Sequence, residues 1–308
     1  MERLIEVTNL TKTYGKQRGI LNVSFDITEG EVFGFLGPNG AGKTTTIRTL
    51  MGFLKPDSGQ AQIGGFDCWK QSTAVKRLVG YLPGEFSFDP ALTGAQILTY
   101  LGNLRGGVDQ AYVRQLCERL DLDLTKRFRA YSRGNKQKIG LVQAFMHKPR
   151  LLILDEPTGG LDPLNQQEFY HMIAEVHADG RTVFLSSHIL PEVEHTCSRI
   201  GIIREGQLIQ MDMVSKLKDI KQNDVLIRFA SPASPAWFKD IPGVLTVEPE
   251  PDGTELHLTV QGELQSIIQV AAEHQAIHFA TQEPNLEEIF LRFYQPAKQV
   301  KTEVAANA

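Results

Sequence analysis

Apolar and polar positions alternate along this chain with two different periods. Near the N-terminus the apolar residues form short blocks: "LIEVTNL" at 4–10, "LNVSFDI" at 21–27 and "EVFGFLG" at 31–37. Such blocks predict strands, and the polar "TKTYGKQRG" at 11–19 predicts a loop between the first two. "KTTTIRTLMGFL" at 43–54 predicts a helix, ended by Gly52 and Pro56. Between 93 and 121, Leu98, Leu101 and Leu104, then Val113, Leu116 and Leu120, recur at helical spacing and predict two helices. A further helix carries Ile139, Leu141, Val142, Phe145 and Met146 as a buried stripe. "RLLILDE" (150–156) and "TVFLSSH" (182–188) are continuous apolar runs of the kind that form buried parallel strands, with a helix at 163–178 between them.

Strand–helix–strand alternation predicts an α/β fold, a sheet wound with helices. The polar segment "KLKDIKQND" (216–224) breaks the pattern and predicts a domain boundary, giving a first domain over 1–218 and a second over 219–295. The second reads as strand 224–230, helix 234–240, strands 244–248 and 255–260, helix 262–275 and strand 276–281. That β-α-β-β-α-β order is a small α+β domain of split βαβ, ferredoxin-like type. A last helix at 285–294 carries Leu286, Ile289, Phe290 and Phe293, and the tail 296–308, ending "EVAANA", is expected to be disordered.

Bulk composition narrows the functional classes. A length of 308 residues suits two domains, and 42% apolar with 22% charged residues is ordinary for a globular chain. With a net charge of −4 there is no global attraction to nucleic acid, and none is expected as a partner. Cys68, Cys117 and Cys197 are far apart, which argues against a zinc site or a disulfide framework and suits a reducing compartment. No apolar run reaches the ~18 residues of a membrane span, and "MERLIEVTNL" lacks the apolar core of a signal peptide. A cytoplasmic location is expected, with any membrane role acting through a partner.

The chemistry is concentrated in a few short stretches. "GPNGAGKTT" at 37–45 comprises Gly37, Pro38, Asn39, Gly40, Ala41, Gly42, Lys43, Thr44 and Thr45. It follows a predicted strand, opens a predicted helix and matches the phosphate-loop pattern. Its glycines let backbone N–H groups turn toward phosphate oxygens, Lys43 can reach the β- and γ-phosphates, and Thr44 can ligate Mg²⁺. Asp155 ends a buried strand, where a Mg²⁺-bound carboxylate is tolerable and an unpaired one is costly. Glu156 follows it as the candidate for polarising an attacking water. His188 ends the next strand, at the carboxyl edge where it would face a γ-phosphate.

A second anion-suited stretch, "YSRGNKQK" at 131–138, starts the helix that leads into "LLILDE". Together with the phosphate loop, "GGLD" at 159–162 and "SSH" at 186–188, it makes residues 4–215 resemble an ABC transporter nucleotide-binding subunit. The C-terminal addition resembles that of ATP-binding subunits paired with ABC-2-type membrane proteins. The resemblance implies a P-loop ATPase core with an N-terminal antiparallel β part and a helical subdomain over about 84–148. It also implies a homodimer or heterodimer in which Ser132, Arg133, Gly134 and Asn135 of one chain cover the ATP held by the other. Tyr14 would stack on adenine, and Asp162 would reach across the dimer. ATP and Mg²⁺ are the implied ligands. Polytopic membrane subunits are the implied partners, at the inner face of the cell membrane, with export the implied direction.

Two departures from the family pattern stand out. The usual Leu-Ser-Gly-Gly-Gln signature reads Tyr131, Ser132, Arg133, Gly134, Asn135, and the usual glutamine after "YLP" is Gly84, followed by Glu85. Glycine cannot ligate a metal through a side chain, so either water or Glu85 would have to fill that position. In "EFSFDPALTG" (85–94), where the family docks its membrane subunits, Phe86 and Phe88 either line that groove or belong to the subdomain core. An ABC-type ATPase that moves no solute is the competing expectation. The second domain either senses a ligand or strengthens dimer contacts.

Overall fold

The computed structural model describes residues 2–15, 17–215 and 222–282. The chain divides into two compact units, Met1–Val214 and Ser215–Ala308. The first opens with an antiparallel pair, β1 (Arg3–Tyr14) and β2 (Gln17–Thr28), followed by β3 (Val32–Leu36) and α1 (Lys43–Leu50). Next come β4 (Ser58–Ile63), β5 (Phe66–Asp67), α2 (Ser72–Leu78) and β6 (Val79–Leu82). The helical part holds α3 (Gly94–Leu104), α4 (Gln110–Arg119), a 3₁₀ turn at Phe128–Ala130 and α5 (Arg133–Phe145). After it run β7 (Leu151–Asp155), α6 (Pro163–Ala178), β8 (Thr182–Ser187), α7 (Leu190–Thr196), β9 (Arg199–Arg204) and β10 (Gln207–Met213).

Two sheets form the body of this unit. One has the order β2-β1-β4-β5 and is antiparallel; the other has the order β10-β9-β3-β8-β7-β6. In the second, β9, β3, β8, β7 and β6 run parallel and β10 closes the edge antiparallel. Every residue of β3, β7 and β8 is buried, which is why these strands are apolar throughout instead of alternating. Phe25 of β2 stacks on Phe33 and Phe184 at centroid distances of 5.8 and 6.0 Å, joining the antiparallel sheet to the parallel one.

The predicted loop at 11–19 is largely strand. Register shifts between Leu10 and Lys12 and between Lys12 and Tyr14 keep "TKTY" paired without apolar alternation. Asp57 anchors it, accepting from Thr13 N at 2.7 Å and from Lys12 Nζ at 2.8 Å. The sequence reading passed over β4, β6, α2, α7 and the β9–β10 hairpin. The last turns at Glu205 and Gly206, both left-handed with φ of 49° and 79°, as a tight two-residue connection requires.

The second unit consists of β11 (Gln222–Phe229), α8 (Ala236–Lys239), β12 (Val244–Pro249), β13 (Glu255–Gln261), α9 (Gln265–Glu273) and β14 (Ala276–Gln282). Its sheet is antiparallel with the order β12-β13-β11-β14, as a split βαβ requires. Alternate residues Val225, Ile227 and Phe229 of β11 and Leu256, Leu258 and Val260 of β13 face a core completed by Phe238, Ile267 and Ala271. The helix expected at 285–294 and the tail at 296–308 lie outside the described residues.

Candidate active site

Parallel register brings the chemistry to one edge of the large sheet. Leu36 lies beside Ser187 and Asp155 beside Ser186, so the loops leaving β3, β7 and β8 emerge together. Gly37 N donates to Ser187 O at 3.1 Å, and Ala41 N to Pro38 O at 3.1 Å. Gly42 has φ 112°, and a Cβ there would lie 2.9 Å from the Ile20 side chain, so only glycine fits both the dihedral and the space. α1 then begins with no side-chain cap and no acidic residue in its first turn. Its leading N–H groups and the positive end of its dipole are therefore available to an anion.

Lys43, only 5% exposed, donates to Gly37 O at 2.5 Å and to Pro38 O at 3.2 Å. Its ammonium also pairs with Glu156 Oε1 at 3.0 Å. Glu156 Oε2 lies 2.6 Å from His188 Nδ1, which completes a chain of three charged or ionisable groups. Glu156 adopts φ 52°, a left-handed conformation that costs a residue with a Cβ about 1–2 kcal/mol. Its N–H holds Ser186 O at 3.1 Å, and this fixes the turn that aims the carboxylate at the phosphate loop. A cavity of about 280 Å³ lies here, lined by the loop, by Gly19 and by Glu156. Tyr14, 43% exposed, is set at the far end of the loop with its hydroxyl 3.5 Å from Thr45 Oγ1.

Thr44 and Asp155 meet as the sequence suggested. Thr44 Oγ1 donates to Asp155 Oδ2 at 2.9 Å, and Ser186 Oγ to Oδ1 at 2.6 Å. Asp155 is fully buried and forms no ion pair with any described residue. A buried carboxylate beside a hydroxyl, with oxygen donors only, fits Mg²⁺, which takes one or two protein ligands and completes its shell with phosphate and water.

The second stretch stands apart. Ser132 caps α5, accepting from Asn135 N at 3.2 Å. The cavity at the phosphate loop takes no lining residue from 131–138. Gly134 packs instead against the loop that follows Glu156: a Cβ on it would lie 2.5 Å from Gly160 O. Arg133 runs its stem past Gly160, whose own Cβ would meet Arg133 Cγ at 3.2 Å. Asp162 caps α6, accepting from Asn165 N at 3.0 Å and Asn165 Nδ2 at 2.7 Å, and these bonds hold its carboxyl below the usual range.

A family model described as "ABC transporter" matches residues 20–159, and one described as "ATP-binding protein DrrA1-3-like, C-terminal domain" matches 215–294. The linearmycin resistance ATP-binding protein LnrL of Bacillus subtilis is 33% identical over 305 residues, covering 94% of this chain and 97% of LnrL. The chain belongs to the ATP-binding subunits of ABC transporters. The bacitracin transport ATP-binding protein BcrA of Bacillus licheniformis is 37% identical over 232 residues, 74% of this chain and 75% of BcrA. Among solved structures, one titled as the ATP binding subunit of an ABC transporter is 30% identical, with a TM-score of 0.64, covering 70% of this chain and 92% of the other. The activity is ATP hydrolysis coupled to transport, and the competing expectation of an ATPase that moves no solute gives way to this match.

Within an ABC subunit the departures can now be located. Gly84 sits at the candidate metal site: a Cβ on it would stand 3.2 Å from Asp155 Oδ2. Phe86 and Phe88 are half-buried. Phe88 packs on Phe128 at a centroid distance of 5.4 Å, and Phe86 covers Gly140 of α5. Both rings pack on the helical part, while Glu85, Ser87, Asp89, Pro90 and Ala91 are the exposed residues of that stretch. Sequence reasoning missed Gln137, whose Nε2 donates to Glu156 O at 3.2 Å and Pro157 O at 2.9 Å. A buried glutamine four residues into a signature helix was the available signal.

Proposed function

We propose that the protein powers an exporter by closing, with a second nucleotide-binding subunit, around two Mg·ATP. Each ATP would lie between the phosphate loop of one subunit and the Ser132–Asn135 signature of the other. The observation that carries this reading is the separation of the two anion-suited elements, since the signature contributes nothing to its own chain's phosphate cavity. Thr44 and Asp155 would hold the Mg²⁺ ion, which supplies charge neutralisation to the β- and γ-phosphates. Lys43 binds the same phosphates, Glu156 orients and deprotonates the attacking water, and His188 contacts the γ-phosphate. ATP favours the closed state because its γ-phosphate bridges both subunits, and hydrolysis removes that bridge.

No helix among the described residues is long and apolar enough to cross a membrane. Relatives named as transport ATP-binding proteins support separate polytopic subunits, at the inner face of the membrane, as the receivers of the force. Export is supported by the DrrA-like second unit and by relatives named for bacitracin transport and linearmycin resistance. The transported compound is then an antimicrobial or similar molecule recognised by the membrane subunit. The test is recovery of tagged Glu156→Gln protein from its own cells in mild detergent with ATP and Mg²⁺. Co-purification of a polytopic membrane protein supports the reading. Recovery of soluble partners alone, from extracts that keep other membrane complexes intact, would sink it.

A further inference from the structure

Glu192, in the first turn of α7, is a fully buried carboxyl with no cationic partner among the described residues. Its Oε2 accepts the hydroxyl of Ser187, the residue before His188. The same Ser187 oxygen accepts from Ile189 N at 2.9 Å, so the hydroxyl and the carboxyl together pin the turn that carries His188. The other oxygen, Oε1, is buried without a hydrogen-bond partner among the described residues. Burial pushes the Glu192 carboxyl up to about 7, against the pull of the Ser187 hydroxyl. Such a group is costly to keep, and replacing buried ionisable groups by apolar side chains of similar volume is often neutral for stability.

We propose that Glu192 is a positioning residue for ATP hydrolysis. One buried carboxyl pins the Ser187 hydroxyl, and with it the turn that aims His188. The inference rests on the roles given above to Glu156 and His188. It also accounts for the cost, because a space-filling role would not require a carboxyl. A displacement of about 1 Å at a reacting group can lower turnover about a hundredfold, so a lost tether should appear in kcat.

The test compares Glu192→Met, Glu192→Gln, Ser187→Ala and the Ser187→Ala/Glu192→Met double variant of the full-length chain, with Glu156→Gln as control. The expected result for Glu192→Met is near-normal thermal unfolding and ATP affinity with kcat reduced about tenfold to a hundredfold. Glu192→Gln, which keeps the hydrogen-bonding shape, should restore most of kcat, and the double variant should lose no more than the worse single. Wild-type kcat in a folded Glu192→Met protein, or parallel loss of ATP affinity, stability and kcat, would overturn the proposal. So would a folded Glu192→Gln protein as slow as Glu192→Met. If Glu156→Gln itself keeps full turnover, the assignment of the base fails instead, and the two failures are told apart.

Discussion

Glu156 occupies a left-handed backbone position, an ion pair with Lys43 and a hydrogen bond with His188 at once, and each is explained if its carboxylate must face the phosphate loop. Glu156→Gln is expected to bind ATP with little change while turnover falls by about a hundredfold or more. Equilibrium nucleotide binding set beside steady-state hydrolysis checks this, and unchanged turnover would refute it. At Gly84, the 3.2 Å from its would-be Cβ to Asp155 Oδ2 means a glutamine enters the candidate metal site with a small adjustment of its neighbours. Gly84→Gln should lower the Mg²⁺ concentration needed for half-maximal hydrolysis; an unchanged Mg²⁺ titration and rate would show the position to be indifferent. Lys43, Thr44, Asp155, Glu156 and His188 were legible in the sequence because strand ends and a loop motif fix them locally. Gln137, Ser186 and Glu192 were not, because their roles depend on which strands become neighbours. His147 supplies a separate handle on stability. Burial, and then the nearby Arg105, lowers its pKa from 6.5 to about 4, so the native state holds it neutral. Its contribution is complete above pH 6.5 and is lost as pH falls toward 4, where the native state too takes up the proton. Glutamine at 147 should flatten the decline of unfolding free energy across that window, as denaturant titrations would measure.

Among the elements, α5 links the signature to the catalytic loop. Gly134 leaves no room for a Cβ against Gly160 O, so Gly134→Ala must shift the start of the helix. Chains carrying Gly134→Ala and chains carrying Lys43→Ala should each be inactive alone. Mixed dimers should regain hydrolysis, because one composite site then has a native phosphate loop facing a native signature. Mixtures with no activity, despite demonstrated subunit exchange, would mean that the signature serves its own chain. The helices of this region were readable from leucine spacing, and the structure adds the cap that starts α3, where Thr93 forms a capping box with Gln96. The overlooked β4 and β6 are short, and "SGQAQI" and "VGYL" carry small or polar residues that imitate loops. They are strands because neighbours pair with them, a tertiary cause that periodicity does not record.

On the scale of the molecule, every candidate catalytic, nucleotide and signature residue lies in the unit Met1–Val214, and the unit Ser215–Ala308 has its own apolar core. A chain ending at Val214 should therefore unfold cooperatively and keep its ATP affinity, as calorimetry and nucleotide titration would show. Loss of nucleotide binding would mean the second unit is needed to complete the first. The βαββαβ order of that second unit was visible in the sequence chiefly because its two central strands, β11 and β13, alternate buried and more exposed residues, which β12 and β14 do not.

The Lys43–Glu156 pair also sets an order of events. A γ-phosphate arriving at Lys43 competes with the Glu156 carboxylate for the same ammonium, so the base is released for water activation by the group it will help to remove. Until then its charge is engaged by the ammonium beside it. Readiness to hydrolyse is thus acquired only on loading, and a subunit waiting for fuel keeps its own base in check.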